Sequence, residues 1–110
     1  MTALYSTRFY AAKGLSGTGP SVTVPAGHVY VVKQITIYVD PTTLPTRVFF
    51  EEDATGAALF TGQQTAGNPE WFGFYGAIVF EQGQGFHFQV DAGPLDGADV
   101  YAGGYDLTSP

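Results

Sequence analysis

The sequence alternates apolar and polar residues over short stretches, and Gly or Pro interrupts these stretches at close intervals. The chain of 110 residues contains 15 Gly and 7 Pro, whereas the helix-favouring residues Lys, Arg and Met are scarce. A period of two residues is typical of half-buried strands, and Gly and Pro mark the turns between them. The sequence therefore predicts an all-β protein with eight to nine short strands.

Nine segments of the chain have the composition of strands, and most of them end at a turn sequence. Examples of such turns are Pro-Ala-Gly at 25–27 and Gln-Gly-Gln-Gly at 82–85. The predicted strands are residues 4–12, 21–24, 28–39, 47–52, 57–61, 70–75, 77–81, 86–91 and 99–107. Because only a short turn separates 47–52 from 57–61, we expect these two strands to form a hairpin.

The segment 28–39 gives the strongest strand signal in the chain. Five β-branched residues share one face of this predicted strand, namely Val29, Val31, Ile35, Ile37 and Val39. Lys33 is the exception, since a strict alternation would place it in the interior with them. We therefore expect a bulge or bend near Lys33 and Gln34.

The spacing of the strands predicts the architecture. Strands at intervals of roughly 8 to 12 residues are typical of antiparallel sandwiches and barrels. We predict an antiparallel β-sandwich that is jelly-roll-like, with a closed barrel as the alternative. Gly73, Gly76, Gly103 and Gly104 lie inside predicted strands, where they fit bends at which strands cross between sheets. The length suits a single domain, residues 1–110.

Charge and cysteine content exclude several classes of function. Four Lys and Arg residues oppose ten Asp and Glu, which gives a net charge of −6. Nucleic-acid binding depends mainly on neutralising phosphates, so we expect no nucleic acid and no anionic membrane as a partner. The absence of Cys excludes thiol catalysis, thiolate metal sites and disulfides. We predict neither a membrane span nor a secretory signal, because no long apolar run or basic leader is present.

The candidate catalytic and metal-binding residues are few and scattered. His28 and His87 are far apart in the chain and accompany no nucleophile motif, so we interpret both as hydrogen-bonded surface residues. Asp91, Asp96 and Asp99 surround one turn and offer carboxylates for calcium, although solvated turn residues are the simpler interpretation. We therefore expect no enzymatic activity and no cofactor.

The aromatic residues require a functional explanation. Nine Phe, seven Tyr and one Trp are many for one thin core, and Tyr and Trp suit interfaces because they are both apolar and polar. We predict a protein–protein contact centred on the segment PEWFGFY at 69–75. The candidate contact residues are Trp71, Phe72, Phe74, Tyr75, Tyr30 and Tyr38. The alternative is a glycan-binding platform in which Trp71 and Tyr75 stack on sugar rings.

Two blocks of the chain have a distinctive pattern. The first block is VPAGHVYVVKQITIY at 24–38, a Pro-Ala-Gly turn followed by a long strand rich in Val and Ile. The second joins GQGFHFQVDAG at 83–93 to the closing VYAGGYDL at 100–107. Both blocks resemble small all-β virion proteins of tailed bacteriophages. Residues 40–75 carry no part of the resemblance.

The resemblance implies a structural role in a virus particle. Proteins of this kind are minor tail, tail-tip or fibre-associated proteins, or decoration proteins on the capsid exterior, and they commonly form cyclic homo-oligomers, often trimers. The expected partners are further copies of the chain and other virion proteins, and the expected location is a virion assembled in the host cytoplasm. The alternative function is a carbohydrate-binding module that adheres to host-surface glycans. No catalytic residue follows from the resemblance.

Overall fold

The computed structural model of the chain describes residues 7–39, 46–65, 68–91 and 97–108. Within these ranges there are nine strands and no helix, hence none that is long and apolar enough to cross a membrane. The strands are β1 (Thr7–Leu15), β2 (Gly17–Thr18), β3 (Val22–Thr23), β4 (His28–Val39), β5 (Arg47–Glu52), β6 (Ala58–Gln63), β7 (Glu70–Glu81), β8 (Gly85–Asp91) and β9 (Ala98–Thr108). The prediction of an all-β chain is confirmed.

The strands form two antiparallel sheets that pack face to face. The four-stranded sheet has the order β1-β9-β4-β7, and the five-stranded sheet has the order β2-β8-β5-β6, with β3 also paired to β8. Since β2 and β3 follow one another along β8, they act as one interrupted strand. Apart from the β5–β6 hairpin, the chain passes to the other sheet after each strand, which is the connectivity of a jelly roll. The predicted sandwich and hairpin are confirmed, and the barrel is not formed.

The core lies between the sheets and is made of alternate residues of the strands. Phe50 of β5 is fully buried, and its ring centroid lies 4.9 Å from that of Phe86 and 5.2 Å from that of Phe88. Valine and isoleucine side chains of β4 cover these rings from the opposite sheet. Large rings suit this position because stacked sheets lie about 10 Å apart.

Strand β4 has the predicted bounds and contains the predicted bulge. Its register against both neighbouring strands shifts at Lys33, which is exposed, whereas Val32 and Ile35 are fully buried. The inward-facing residues are therefore even-numbered before the bulge and odd-numbered after it. This corrects the prediction that Val29 and Val31 share a face with Ile35, because the bulge inverts the alternation.

Register shifts cross the whole four-stranded sheet at the level of Lys33. Strand β1 shifts at Phe9, and Gly103 and Gly104 of β9 lie on either side of the shift against β4. A Cβ atom on Gly104 would lie 2.8 Å from the backbone nitrogen of Lys33, so this approach requires Gly. Gly76 of β7 lies at the same level. These glycines mark bulges within one sheet, and the prediction that they lie at crossings between sheets is wrong.

Some strand boundaries also differ from the prediction. Strand β7 continues through Gly76 without interruption, where two separate strands were expected, since a bulge accommodates the glycine. Strand β1 extends to Leu15, and its expected first residues, 4–6, lie outside the described residues. Strand β6 extends to Gln63 and pairs there with Arg47 of β5.

Candidate functional site: the outer face of the four-stranded sheet

The outer face of the four-stranded sheet carries most of the exposed apolar side chains among the described residues. Six large apolar residues are exposed, and only Leu59 belongs to the other sheet. The other five define what we call the aromatic face: Trp71, Tyr75, Val79, Tyr105 and Leu107. Trp71 is 70% exposed and Tyr75 is 77% exposed, so both present nearly whole rings to solvent.

Strand β7 places its aromatic residues alternately on the two faces of the sheet. Trp71 and Tyr75 point outwards, whereas Phe72 and Phe74 are partly buried and pack against the core. The Phe74 ring lies 5.9 Å from that of Phe60 in the opposite sheet. The predicted contact segment is thus divided, because adjacent residues of a strand point to opposite faces. Phe72 and Phe74, two of the predicted contact residues, therefore lie on the inner face of the sheet and outside the aromatic face.

The two predicted Tyr candidates of β4 lie on opposite faces. Tyr38 lies directly opposite Trp71 on the outer face, and their ring centroids are 4.5 Å apart. Tyr30 points inwards and stacks on Phe9 at 4.4 Å. Burial, and to a lesser extent the nearby carboxylate of Asp106, raises the pKa of Tyr30. The structure therefore brings Tyr38 together with Trp71, on the same sheet face as Tyr75, whereas Tyr30 lies on the other face.

A second cluster lies on the outer face of the five-stranded sheet, around His87. Its Nε2 atom lies 2.9 Å from Oε1 of Glu51, and its Nδ1 atom lies 2.6 Å from Oδ1 of Asp53. Burial alone would lower the pKa of His87, but the hydrogen bonds to Asp53 and Glu51 outweigh it and the pKa is raised. A protonated ring donates to both carboxylates, so neither nitrogen is left for a nucleophile or a metal ion.

Sequence reasoning identified His87 as a hydrogen-bonded residue but not its partners. Glu51 and Asp53 lie 36 and 34 positions away in the chain. The pairing of β5 with β8 places Glu51 opposite His87, and this register has no local sequence signal. His28 is also hydrogen-bonded, with its Nδ1 atom 2.7 Å from Oδ1 of Asp106. Both histidines are therefore hydrogen-bonded as interpreted, but the side chain of His87 is only 14% exposed.

The candidate calcium ligands have other partners where they are described. Asp91 forms an ion pair with Arg47 at 3.1 Å, and Oδ1 of Asp99 accepts a hydrogen bond from the backbone amide of Gly14 at 2.9 Å. Asp96 lies outside the described residues. Within the described ranges no group of three or more His, Asp or Glu side chains is arranged to hold a metal ion.

Comparison with known proteins adds no family assignment. No family model, no curated protein and no solved structure matches the chain. The fold defines the chain as a jelly-roll β-sandwich protein, an architecture shared by viral capsid domains and lectins. Because one fold hosts many functions, the function is inferred from the surface of this chain and from its sequence resemblance.

Proposed function

We propose that the chain is a structural subunit of a bacteriophage virion, acting by self-association and by docking to neighbouring subunits. A minor tail, tail-tip or fibre-associated position is the first choice, and a capsid decoration position is the second. The aromatic face is the observation that carries this proposal. The resemblance of residues 24–38, 83–93 and 100–107 to phage virion proteins supplies the kind of particle.

The aromatic face has the chemistry of a protein contact. Trp and Tyr are enriched among the residues that dominate binding energy at interfaces, and both are present here on one sheet face. Val79, Tyr105 and Leu107 add apolar area further along the same sheet face. Monomeric proteins rarely expose contiguous apolar patches beyond a few hundred Å². Covering this face in an assembly removes its apolar area from water.

Net charge sets the conditions under which the assembly forms. The chain carries a charge of −6, so copies repel one another at low ionic strength. Added salt screens this repulsion and leaves the apolar contact in place. Self-association is therefore expected to increase with salt, unlike an association that depends on ion pairs alone.

A pair of exposed residues tests the aromatic face. Tyr75 lies on this face in the edge strand β7 and is 77% exposed, whereas Leu59 lies on the other sheet and is 40% exposed. Light scattering of the whole chain should show an oligomer that Tyr75→Ser weakens and Leu59→Ser leaves intact. A chain that stays monomeric at high concentration and high salt contradicts the proposal. As a second test, an antiserum against the chain should label phage particles. A map of the particle should then show whether the chain lies in the tail or on the capsid.

A carbohydrate-binding module is the second candidate function. Trp71 and Tyr75 point the same way from one strand, with Gly73 between them, and form an open pair of rings. Such rings stack on the apolar faces of sugars. Titration with a panel of bacterial glycans, followed by the fluorescence of Trp71, tests this function. A monomer whose glycan binding is abolished by Trp71→Ala would replace the first proposal, and a stable oligomer without a glycan response contradicts the second.

A further inference from the structure

We propose that copies of the chain join head to tail, with the free edge of β7 in one copy paired to the free edge of β1 in the next. The joined four-stranded sheets then form one continuous antiparallel sheet around a closed ring. This inference rests on the proposed self-association and specifies which surfaces meet.

The two strands at the edges of the four-stranded sheet are unpaired on their outer sides among the described residues. Strand β7 is twelve residues long, and its charged residues are confined to the ends, at Glu70 and Glu81. It contains no Pro, Lys or Arg, the residues that natural proteins use to block such edges. An edge of this kind accepts a further strand through its backbone N–H and C=O groups.

The strand directions allow the two edges to pair in the manner of the rest of the sheet. Each neighbouring pair in the order β1-β9-β4-β7 is antiparallel, so β1 and β7 run in opposite directions. A second copy related by rotation about an axis parallel to the strands therefore presents its β1 antiparallel to β7. No inversion of the second copy is needed.

Side chains on the outer face form rows that reach both edges at the same level. The first row is Arg8, Gly103, Gln34 and Tyr75, and the second is Ala11, Tyr101, Thr36 and Gly73. The third row begins at Lys13 and Gly14, which together lie opposite Asp99, and continues through Tyr38 to Trp71. A copy added without translation along the strands continues every row.

The residues that meet in this arrangement are complementary. Arg8 of one copy lies beside Tyr75 of the next, Lys13 lies beside Trp71, and Ala11 lies beside Gly73. A cation over an aromatic ring is a favourable contact, and the small middle pair lets the backbones approach. Arg8 and Lys13 are exposed and form no ion pair with any described residue, so both are available for this role.

The bulge in β1 gives the outward-facing residues of the two edges the same spacing. Trp71, Gly73 and Tyr75 occupy three successive outward positions of β7. The extra residue at Phe9 makes Arg8 and Ala11 successive outward positions of β1, and Lys13 follows. The two cations are therefore spaced as the two aromatic rings are. Because the rows meet without an axial step, the contact has no rise along its axis, which is the condition for a closed ring of copies instead of a helical filament when the rotation completes a full turn.

Pairing of two β7 edges with each other is disfavoured. A symmetric antiparallel β7 pair with aligned ends would place Glu70 of one copy opposite Glu81 of the other at both ends. Like charges directly opposite one another destabilise a strand pair. The β1 edge instead contributes two of the four basic residues of the chain.

Charge exchange between the two edges tests the proposal. The first variant, Arg8→Glu with Lys13→Glu, places carboxylates on the β1 edge, and the second, Trp71→Lys with Tyr75→Lys, places ammonium groups on the β7 edge. Each is expected to raise the dissociation constant of the oligomer at least about tenfold, since a cation–π contact is replaced by a mismatch or a repulsion. In the chain with all four substitutions, carboxylates on the β1 edge meet ammonium groups on the β7 edge, so the oligomer should form again. Lys33→Glu, the same charge change at the centre of the sheet, should leave the oligomer intact.

Native mass spectrometry and light scattering on the folded variants give the outcome. Loss of the oligomer in both edge variants, with recovery in the combined chain, supports the head-to-tail contact. An oligomer that neither edge variant weakens overturns this contact but leaves the proposed self-association standing. A combined chain that is folded but monomeric also overturns it, and a monomeric wild-type chain overturns both proposals.

Discussion

The Nδ1 atom of His87 lies 2.6 Å from the Oδ1 atom of Asp53, which ties strand β8 to the turn that follows β5. The second nitrogen of the same ring lies 2.9 Å from Glu51. When it is protonated, this imidazole donates to two carboxylates on the outer face of the five-stranded sheet. This arrangement makes the stability of the sheet depend on the protonation of a single side chain.

Stability is expected to fall as pH rises through the range in which His87 loses its proton. Its pKa is raised above the ordinary value of 6.5, so its contribution is complete below that value and is lost as pH passes the folded-state pKa. His87→Gln should lower the free energy of unfolding by about 2 kcal/mol at about pH 6 and by less at about pH 8.5. Urea unfolding at both pH values measures the difference.

Asp91→Asn is the matched control for this pH dependence. Asp91 lies on the same strand as His87, but it pairs with Arg47 and not with a histidine. Its removal should leave the change in stability between the two pH values as in the wild type. A pH-independent effect of His87→Gln would contradict the assigned role of the imidazolium.

Phe50 is expected to be the most sensitive position of the core. Its ring is fully buried and faces Phe80, Phe86 and Phe88. Phe50→Ala should reduce the free energy of unfolding by about 3–5 kcal/mol, because a cavity remains between the sheets. Phe49→Ala, one residue earlier on the outer face, should cost about 1 kcal/mol or less. Equal losses in guanidinium unfolding would contradict the assigned face of β5.

Gly104 and Gly73 should respond differently to the same substitution. A Cβ atom at Gly104 would collide with the backbone of Val31 and Lys33, whereas at Gly73 the nearest atom, in the Tyr75 ring, is 3.6 Å away. Gly104→Ala is expected to cost at least about 2 kcal/mol, since backbone must move. Gly73→Ala should change stability by less than about 1 kcal/mol. Thermal unfolding of dilute protein checks both, and a tolerated alanine at 104 would refute the bulge geometry.

Trp71 provides a direct readout of association, because it is the single tryptophan of the chain. Its side chain is 70% exposed, so the dilute chain should show the long-wavelength emission and easy acrylamide quenching of a solvated indole. Raising the protein concentration should shift the emission to shorter wavelength and protect the ring. The control is the variant Arg8→Glu with Lys13→Glu, in which the emission should stay unchanged with concentration. Protection of Trp71 in the dilute wild-type chain would contradict its place on the aromatic face.

Local patterning was sufficient to predict much of the fold. The bounds of β4 and β5 follow from apolar alternation between turn sequences, and a Lys at an inward position indicated the bulge. The inversion of faces at Lys33 was missed because the alternation of Val29 and Val31 looks continuous with that of Ile35. Apolar alternation alone does not show which residue is the extra one at a bulge, and therefore does not show which residues before the bulge face inwards.

The candidate site was only partly predictable. Tyr and Trp chemistry pointed to Trp71 and Tyr75, which are exposed, but residue type alone did not separate them from the inward-facing Phe72 and Phe74. The partners of His87 depend on strand register across the fold, which no local stretch of sequence specifies. The rows that connect β1 to β7 are likewise a product of pairing between distant strands.

The aligned bulges also bear on how this sheet can change in evolution. Deleting Lys33 alone would join Val32 to Gln34, and Tyr30 and Val32 would keep the inward face that they share with Ile35. The pairing with β9 would become regular, whereas β7, which spans this level from Ile78 to Phe74, would be displaced by two residues against β4. A deletion at this level is therefore expected in related chains together with the loss of two residues from β7, which keeps both pairings of β4 in register.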